Sequence, residues 1–292
     1  MNINSTTKDL ILENVRDFNI KDVLECGQCF HFTKLGDNDY ELIAKGKYLH
    51  IEQTSDETLR LYDTDINCFN EVWNSYFDFD TDYSDIKKSI ISADERLEEA
   101  VEKNKGIRIL NQDFFETLIS FIISQNKQIP HIKQIVHKIS ECYGDKLTLC
   151  DGRVVSLFPS VKRLHEVSED ELRRCKVGFR APYIKCAVEM VYSKEITEEK
   201  LKSLTADGAR KELMKIKGVG EKVANCVMLF SLGFRESFPV DVWMKRIMEY
   251  MYFNKDMKNQ EIENFAMERF GKYAGYAQQY LFAYGRENGI GK

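Results

Sequence analysis

The stretch KGVGEKVANC at residues 217–226 sets two glycines, Gly218 and Gly220, between two helix-like runs. Glycines tolerate backbone angles closed to other residues, so this spacing dictates a tight reversal with the flanking helices packed as a hairpin. The first N–H groups of the second helix then point out of the turn, and a phosphate can approach bare glycine backbone closely, which makes the hairpin an anion site. It is not a P-loop, whose Gly-Lys-Ser/Thr ending is absent, nor a Rossmann turn, whose third glycine is replaced by Val223. On glycine spacing alone, a helix connection that binds nothing fits equally well.

Lys222 lies in the first turn of the second helix, where the positive helix end disfavours an ammonium. Lys222, Asn225 and Cys226 fall at i, i+3 and i+4 and share a face directed at a cleft or solvent, whereas Val223, Val227 and Phe230 line a face that can enter a core. In a partly dry cleft the neutral amine gains, and a neutral amine is a nucleophile. An ordinary exposed lysine is the alternative. Further on, in FPVDVW (238–243), Asp241 is placed to N-cap a helix beginning at Val242. A carboxylate fixed there can also stabilise positive charge developing on a substrate.

The rest of the chain supplies the frame. Its 292 residues, 43% of them hydrophobic, can fill a sizeable core. A net charge of -5 carries no bulk signature of nucleic-acid binding, so any such contact has to come from a local arrangement. Apolar runs such as LISFII (118–123) are too short to span a bilayer, and the first residues lack a basic segment followed by an apolar block; no membrane partner and an intracellular (cytoplasmic or nucleoid) location are expected. Eight scattered cysteines suit free thiols. The pair in Cys26-Gly27-Gln28-Cys29 lacks both a second ligand pair and a strand-to-helix setting, so it reads as packing rather than as zinc or redox chemistry.

Along the chain, residues 29–33, 40–43, 48–53 and 58–62 read as short strands separated by polar turns. From about Asn67 the period turns helical. Asp113 stands as an N-cap, another helix opens at Pro130, Ser168 to Glu171 form a capping box, and 183–192 is amphipathic. The expected fold is α+β: a small antiparallel-sheet N-terminal domain over 1–105, then a mostly α-helical helix-hairpin-helix region over 106–292 with two helical subdomains.

Residues 213–243, LMKIKGVGEKVANCVMLFSLGFRESFPVDVW, resemble the hairpin and Gly/Pro…Asp signature of the helix-hairpin-helix (HhH-GPD) DNA glycosylases. GQCF (27–30), SFIISQN (120–126), GFRAPY (178–183) and YAGYAQQYLF (273–282), in the same order as in the family, narrow the resemblance to the 8-oxoguanine DNA glycosylase/lyases and extend it over nearly the whole chain. The resemblance implies a bifunctional base-excision-repair enzyme acting on double-stranded DNA containing 8-oxoguanine, as a monomer. Lys222 would attack C1′ of the damaged nucleotide to form a Schiff base, and Asp241 would stabilise the cationic sugar. Cys226 and Phe282 would sandwich the flipped base, Gln278 would bond its Watson–Crick edge, and the Gly27 carbonyl would test N7. Asn126, Phe179, Arg180 and His131 would fill and buckle the duplex and meet the estranged cytosine, while Gly218 and Gly220 would grip a phosphate.

The resemblance implies no required cofactor, although the carbonyls of Met214, Ile216 and Val219 form a potential cation site at the hairpin. No iron–sulfur cluster is expected, because no cysteine follows Cys226. Two positions depart from the family pattern. His131 replaces an arginine directed at the opposite cytosine, with Ile132 taking the place if the alignment slips by one, and a histidine–carboxylate pair becomes Trp243 and Gly285.

Overall fold

A computed structural model describes residues 1–6 and 8–290. Six antiparallel strands, β1 (Asn2–Ser5), β2 (Leu10–Glu13), β3 (Phe32–Lys34), β4 (Asp39–Ala44), β5 (Lys47–Ser55) and β6 (Thr58–Tyr62), form one sheet in the order β1-β2-β6-β5-β4-β3. Alternation fixes which face is buried: Leu10 and Leu12, Tyr40 and Leu42, Leu49 and Ile51, Leu59 and Leu61 all point inward. They pack against Ile20, Val23 and Leu24 of the helix Ile20–Glu25 and against Phe69, Trp73 and Phe77.

The four strands expected from the sequence correspond to β3 to β6, although β3 begins only at Phe32. The first two strands were not expected. β1 is exposed throughout and has no apolar face to read, and β2 is too short to alternate more than twice.

Beyond the sheet the chain is mainly helical and has two further cores. At the centre of the first is the helix Phe114–Ser124, capped by Asp113 through Glu116 N and buried except at Glu116 and Ser124. A helix apolar on all sides belongs inside a protein rather than on it. Around it lie the helices Ile129–Tyr143, Ala181–Tyr192 and Glu221–Val227. In the second helical core, Ile90, Leu97, Ala100 and Val101 pack with Met244 and Ile247 and with Ala277 and Leu281 of the C-terminal helix Ala274–Glu287.

A buried polar side chain joins the sheet region to the helices. Gln28, fully buried, donates to Val23 O and Arg108 O at 2.8 Å each and accepts from Leu110 N at 2.9 Å. Gln112 in turn donates to Gln28 O at 2.7 Å. A fully satisfied buried amide is a rigid peg, and it fixes the turn that carries Gly27.

Candidate active site

The hairpin is built as its glycines require, with different tasks for the two. Gly218 has φ +84, and a Cβ there would lie 2.3 Å from Tyr183 Cγ. Gly220 is the N-cap of Glu221–Val227 with φ -96, an angle open to any residue, and nothing lies within 4 Å of its Cβ position. Only Gly218 is dictated by the fold. Gly220 leaves open space before the first turn, where no side chain caps the helix. Gly218→Ala is expected to destabilise the chain by about 2–4 kcal/mol, through left-handed strain plus displacement of the Tyr183 ring. Equal denaturation midpoints for variant and wild type would refute this.

The second hairpin helix is more deeply buried than its polar residues suggest. Val223 to Val227 are all buried, including Asn225 and Cys226. Of the face shared by Lys222, Asn225 and Cys226, the lysine alone reaches an opening. Its Nζ donates to Ser124 Oγ at 3.1 Å and lies 5.0 Å from the centre of the Phe121 ring. Ser124 Oγ donates onward to Phe121 O at 2.8 Å, leaving its lone pairs for the lysine.

That opening is a cavity of about 460 Å³, lined among others by Gly27, Phe30, Phe121, Ser124, Ile132, Lys222, Asp241, Trp243, Phe282 and Arg286. Asp241 reaches it from the start of the helix Val242–Met248, where one carboxylate oxygen accepts from Met244 N at 2.8 Å. Cap and cavity wall are therefore one residue. Larger clefts lie elsewhere, one of about 680 Å³ beside Arg16, Asp17 and Lys105.

The remaining expected residues are placed unevenly. Gly27, with φ +91, enters the cavity wall, where a Cβ would come within 3.1 Å of Ile129 and 3.7 Å of Phe282. Cys226 is buried beside Lys222 and Asp241, and burial pushes its thiol up to about 11. Gln278 is buried too, donating to Pro239 O at 3.4 Å and accepting from Gln279 Nε2 at 2.6 Å. Neither Cys226 nor Gln278 lines the open cavity.

Asn126, exposed with φ +52, follows the central helix. Arg180 is buried and donates to Gln125 O and, at 3.2 Å, to Val177 O. Its guanidinium lies 4.3 Å from the ring centre of Phe179, which is 54% exposed. Asn126, Phe179 and Arg180 thus gather at one edge. His131 is exposed, while its neighbour Ile132 lines the cavity.

Met214, Ile216 and Val219 line the hairpin turn, where Ile216 O accepts from Val219 N at 3.0 Å. Among the described residues, no group of three or more His, Cys, Asp or Glu side chains could hold a metal ion. Cys26 and Cys29 are packed thiols whose ionisation burial suppresses.

Sequence reasoning missed Ser124 and Arg286. Ser124 stands three residues past Phe121 and Arg286 four past Phe282, so helical spacing alone would have put each on the cavity face.

Comparison with known proteins shows the family. Residues 10–118 match the family model of the 8-oxoguanine DNA glycosylase N-terminal domain, and residues 119–272 match that of the HhH-GPD superfamily base excision DNA repair proteins. The chain is 31% identical over 217 residues to a probable N-glycosylase/DNA lyase of Methanothermobacter thermautotrophicus, covering 68% of this chain and 69% of the relative. It is 34% identical over 213 residues to an N-glycosylase/DNA lyase of Arabidopsis thaliana, covering 68% and 56%. The Clostridium acetobutylicum 8-oxoguanine glycosylase/lyase, solved with double-stranded DNA containing cytosine opposite 8-oxoguanine, superposes with a TM-score of 0.95 at 42% identity over 99% of both chains. On these matches, which together span nearly the whole chain, the chain belongs to the 8-oxoguanine DNA glycosylase family of HhH-GPD base-excision repair proteins.

Proposed function

We propose that this protein, acting as a monomer, removes 8-oxoguanine from duplex DNA through a Schiff base on Lys222 and then nicks the abasic strand by β-elimination. The observation that carries the reading is the cavity shared by an amine held by Ser124 and a carboxylate held by a helix start. A nucleobase must leave the stack to be attacked at its sugar, and a cavity of about 460 Å³ walled by Gly27, Phe30 and Phe282 suits a flipped purine.

Lys222 Nζ attacks C1′ as the base departs, and Asp241 stabilises the positive charge on the sugar during that step. Loss of the ring oxygen from C1′ gives the imine. Its electron demand lets a C2′ proton leave and the C3′–O bond break, which is the strand nick.

Discrimination rests on the turn that Gln28 pins. Guanine N7 is an acceptor, whereas N7 of 8-oxoguanine bears a proton, so the Gly27 carbonyl attracts the lesion and repels the normal base. An unmatched buried polar contact costs about 1–3 kcal/mol. Cys226 and Phe282 then sandwich the base. Gln278 reaches its Watson–Crick edge by exchanging its bond with Gln279. Asn126 and Phe179 occupy the gap and wedge the duplex, Arg180 and His131 meet the opposite base, and Gly218 and Gly220 present backbone to a phosphate, with the carbonyls of Met214 and Val219, and the second lone pair of Ile216 O, offered to a cation.

Borohydride trapping on a duplex with 8-oxoguanine opposite cytosine tests the proposal. A covalent adduct with the lesion duplex and none with undamaged DNA is expected. Tight binding with no adduct on any duplex would overturn it.

The DNA path also has local charge in an acidic chain. A groove of about 770 Å³ shares Ile129, Pro130 and Arg286 with the lesion cavity and carries Lys34, Lys133 and Lys138 against Glu25 and Glu141. Burial and the adjacent His31 push His137 down to about 4, so it adds no charge at neutral pH. Lys133, 3.5 Å from the Phe32 ring centre, forms no ion pair among the described residues. If it meets a phosphate, Lys133→Gln lowers the slope of log affinity against log salt by about 0.9, for damaged and undamaged duplex alike. An unchanged slope would remove the groove from the DNA path.

A further inference from the structure

The mouth of the lesion cavity carries an aromatic side chain that the chemistry above does not use. Trp243 lies two residues past Asp241, in the first turn of Val242–Met248, and lines the cavity with Asp241, Phe282 and Arg286. It is 40% exposed, whereas Phe30 and Phe121, which wall the same cavity, are 4% and 3% exposed. The cavity therefore has a deep aromatic floor and a separate aromatic rim. Arg246 is 5.8 Å from the indole centre and props the ring as a cation over its π face.

Gly285 lines the cavity without a side chain, and a Cβ there would lie 2.3 Å from Ile247 Cδ1. The C-terminal helix is thus pressed onto the helix of Trp243, and position 285 brings no side chain to the rim. A base that flips inward passes Lys222 to the floor. What remains beside the rim is the strand that carries it.

We infer that Trp243 is a stacking platform for the nucleobase adjoining the flipped nucleotide on the same strand. The inference rests on the glycosylase reading and deepens it. Every base offers a π face, so the contact adds affinity without sequence preference. It also holds the strand at a point where the duplex has lost the stacking of the extruded base.

The two tryptophans make the test direct. Trp73 is fully buried, so a change in tryptophan emission on adding lesion duplex reports Trp243. Quenching is expected in wild type and not in Trp243→Phe. Trp243→Ala is expected to bind the lesion duplex about 5- to 150-fold more weakly, and Trp243→Phe to recover most of that loss.

The decisive arm removes the partner. A tetrahydrofuran abasic analogue in place of the base on one side of the lesion should cost wild type a similar factor and cost Trp243→Ala nothing further. Equal affinities of wild type and Trp243→Ala, or equal losses by both proteins when either neighbouring base is removed, would overturn the inference while leaving the glycosylase reading intact. A wild-type protein that forms no trapped adduct would fail that reading first, and this inference with it.

Discussion

Lys222→Gln is expected to yield no borohydride-trapped adduct and no strand nick, with activity lowered by a factor on the order of 10³ or more, as is typical when a covalent nucleophile is removed. Glutamine is close to lysine in reach and can still donate to Ser124, so the cavity keeps its shape. Its nitrogen lone pair, however, is delocalised into the amide and cannot attack C1′. Lesion binding should therefore remain close to that of wild type, and the two effects separate in one experiment. Thermal stability should hold or rise slightly, because a cation in the first turn of a helix is unfavourable by about 0.3–1 kcal/mol. A glutamine variant that nicks lesion duplex at near the wild-type rate would remove Lys222 from the mechanism.

Asp241→Asn isolates charge from architecture. Asparagine caps helices as well as aspartate does, so the bond to Met244 N and the start of Val242–Met248 survive. What disappears is the negative charge that the proposed mechanism sets against the sugar. Excision of 8-oxoguanine should fall by about 10²- to 10³-fold, the range seen when one preorganised electrostatic group is lost. Trapping on a preformed abasic site should fall much less, because no base has to depart. Loss of both in equal measure would mean that Asp241 serves chiefly to place Lys222.

Much of this arrangement was legible in the sequence wherever a local rule governed it. Strands β4 to β6 declare themselves by alternation and polar turns. The caps at Asp113, Ser168 and Asp241 are short-range hydrogen bonds, and all three form. The glycine hairpin is likewise local, although φ at Gly220 shows that one of its two glycines answers to open space rather than to backbone strain.

Tertiary placement was less legible. The i, i+3, i+4 rule correctly put Lys222, Asn225 and Cys226 on one face, but only packing could decide that two of them go inside. Gln278 lies on a helix whose residues from Ala274 to Leu281 are all buried; its present partners, Pro239 and Gln279, are set by how that helix docks. The motif around Ser124 was visible, but its bond to a lysine almost a hundred residues later was not.

The lesion cavity draws one wall from Gly27, just after the first helix, and another from Phe282, on the last. No short segment of the chain contains the site, and the amine at 222 has no pocket to work in until the turn at Gly27 and the helix of Phe282 have docked. A fragment that carries only the hairpin is therefore expected to leave DNA uncut. The cavity is completed only when the helix Ala274–Glu287 closes over the turn that carries Gly27.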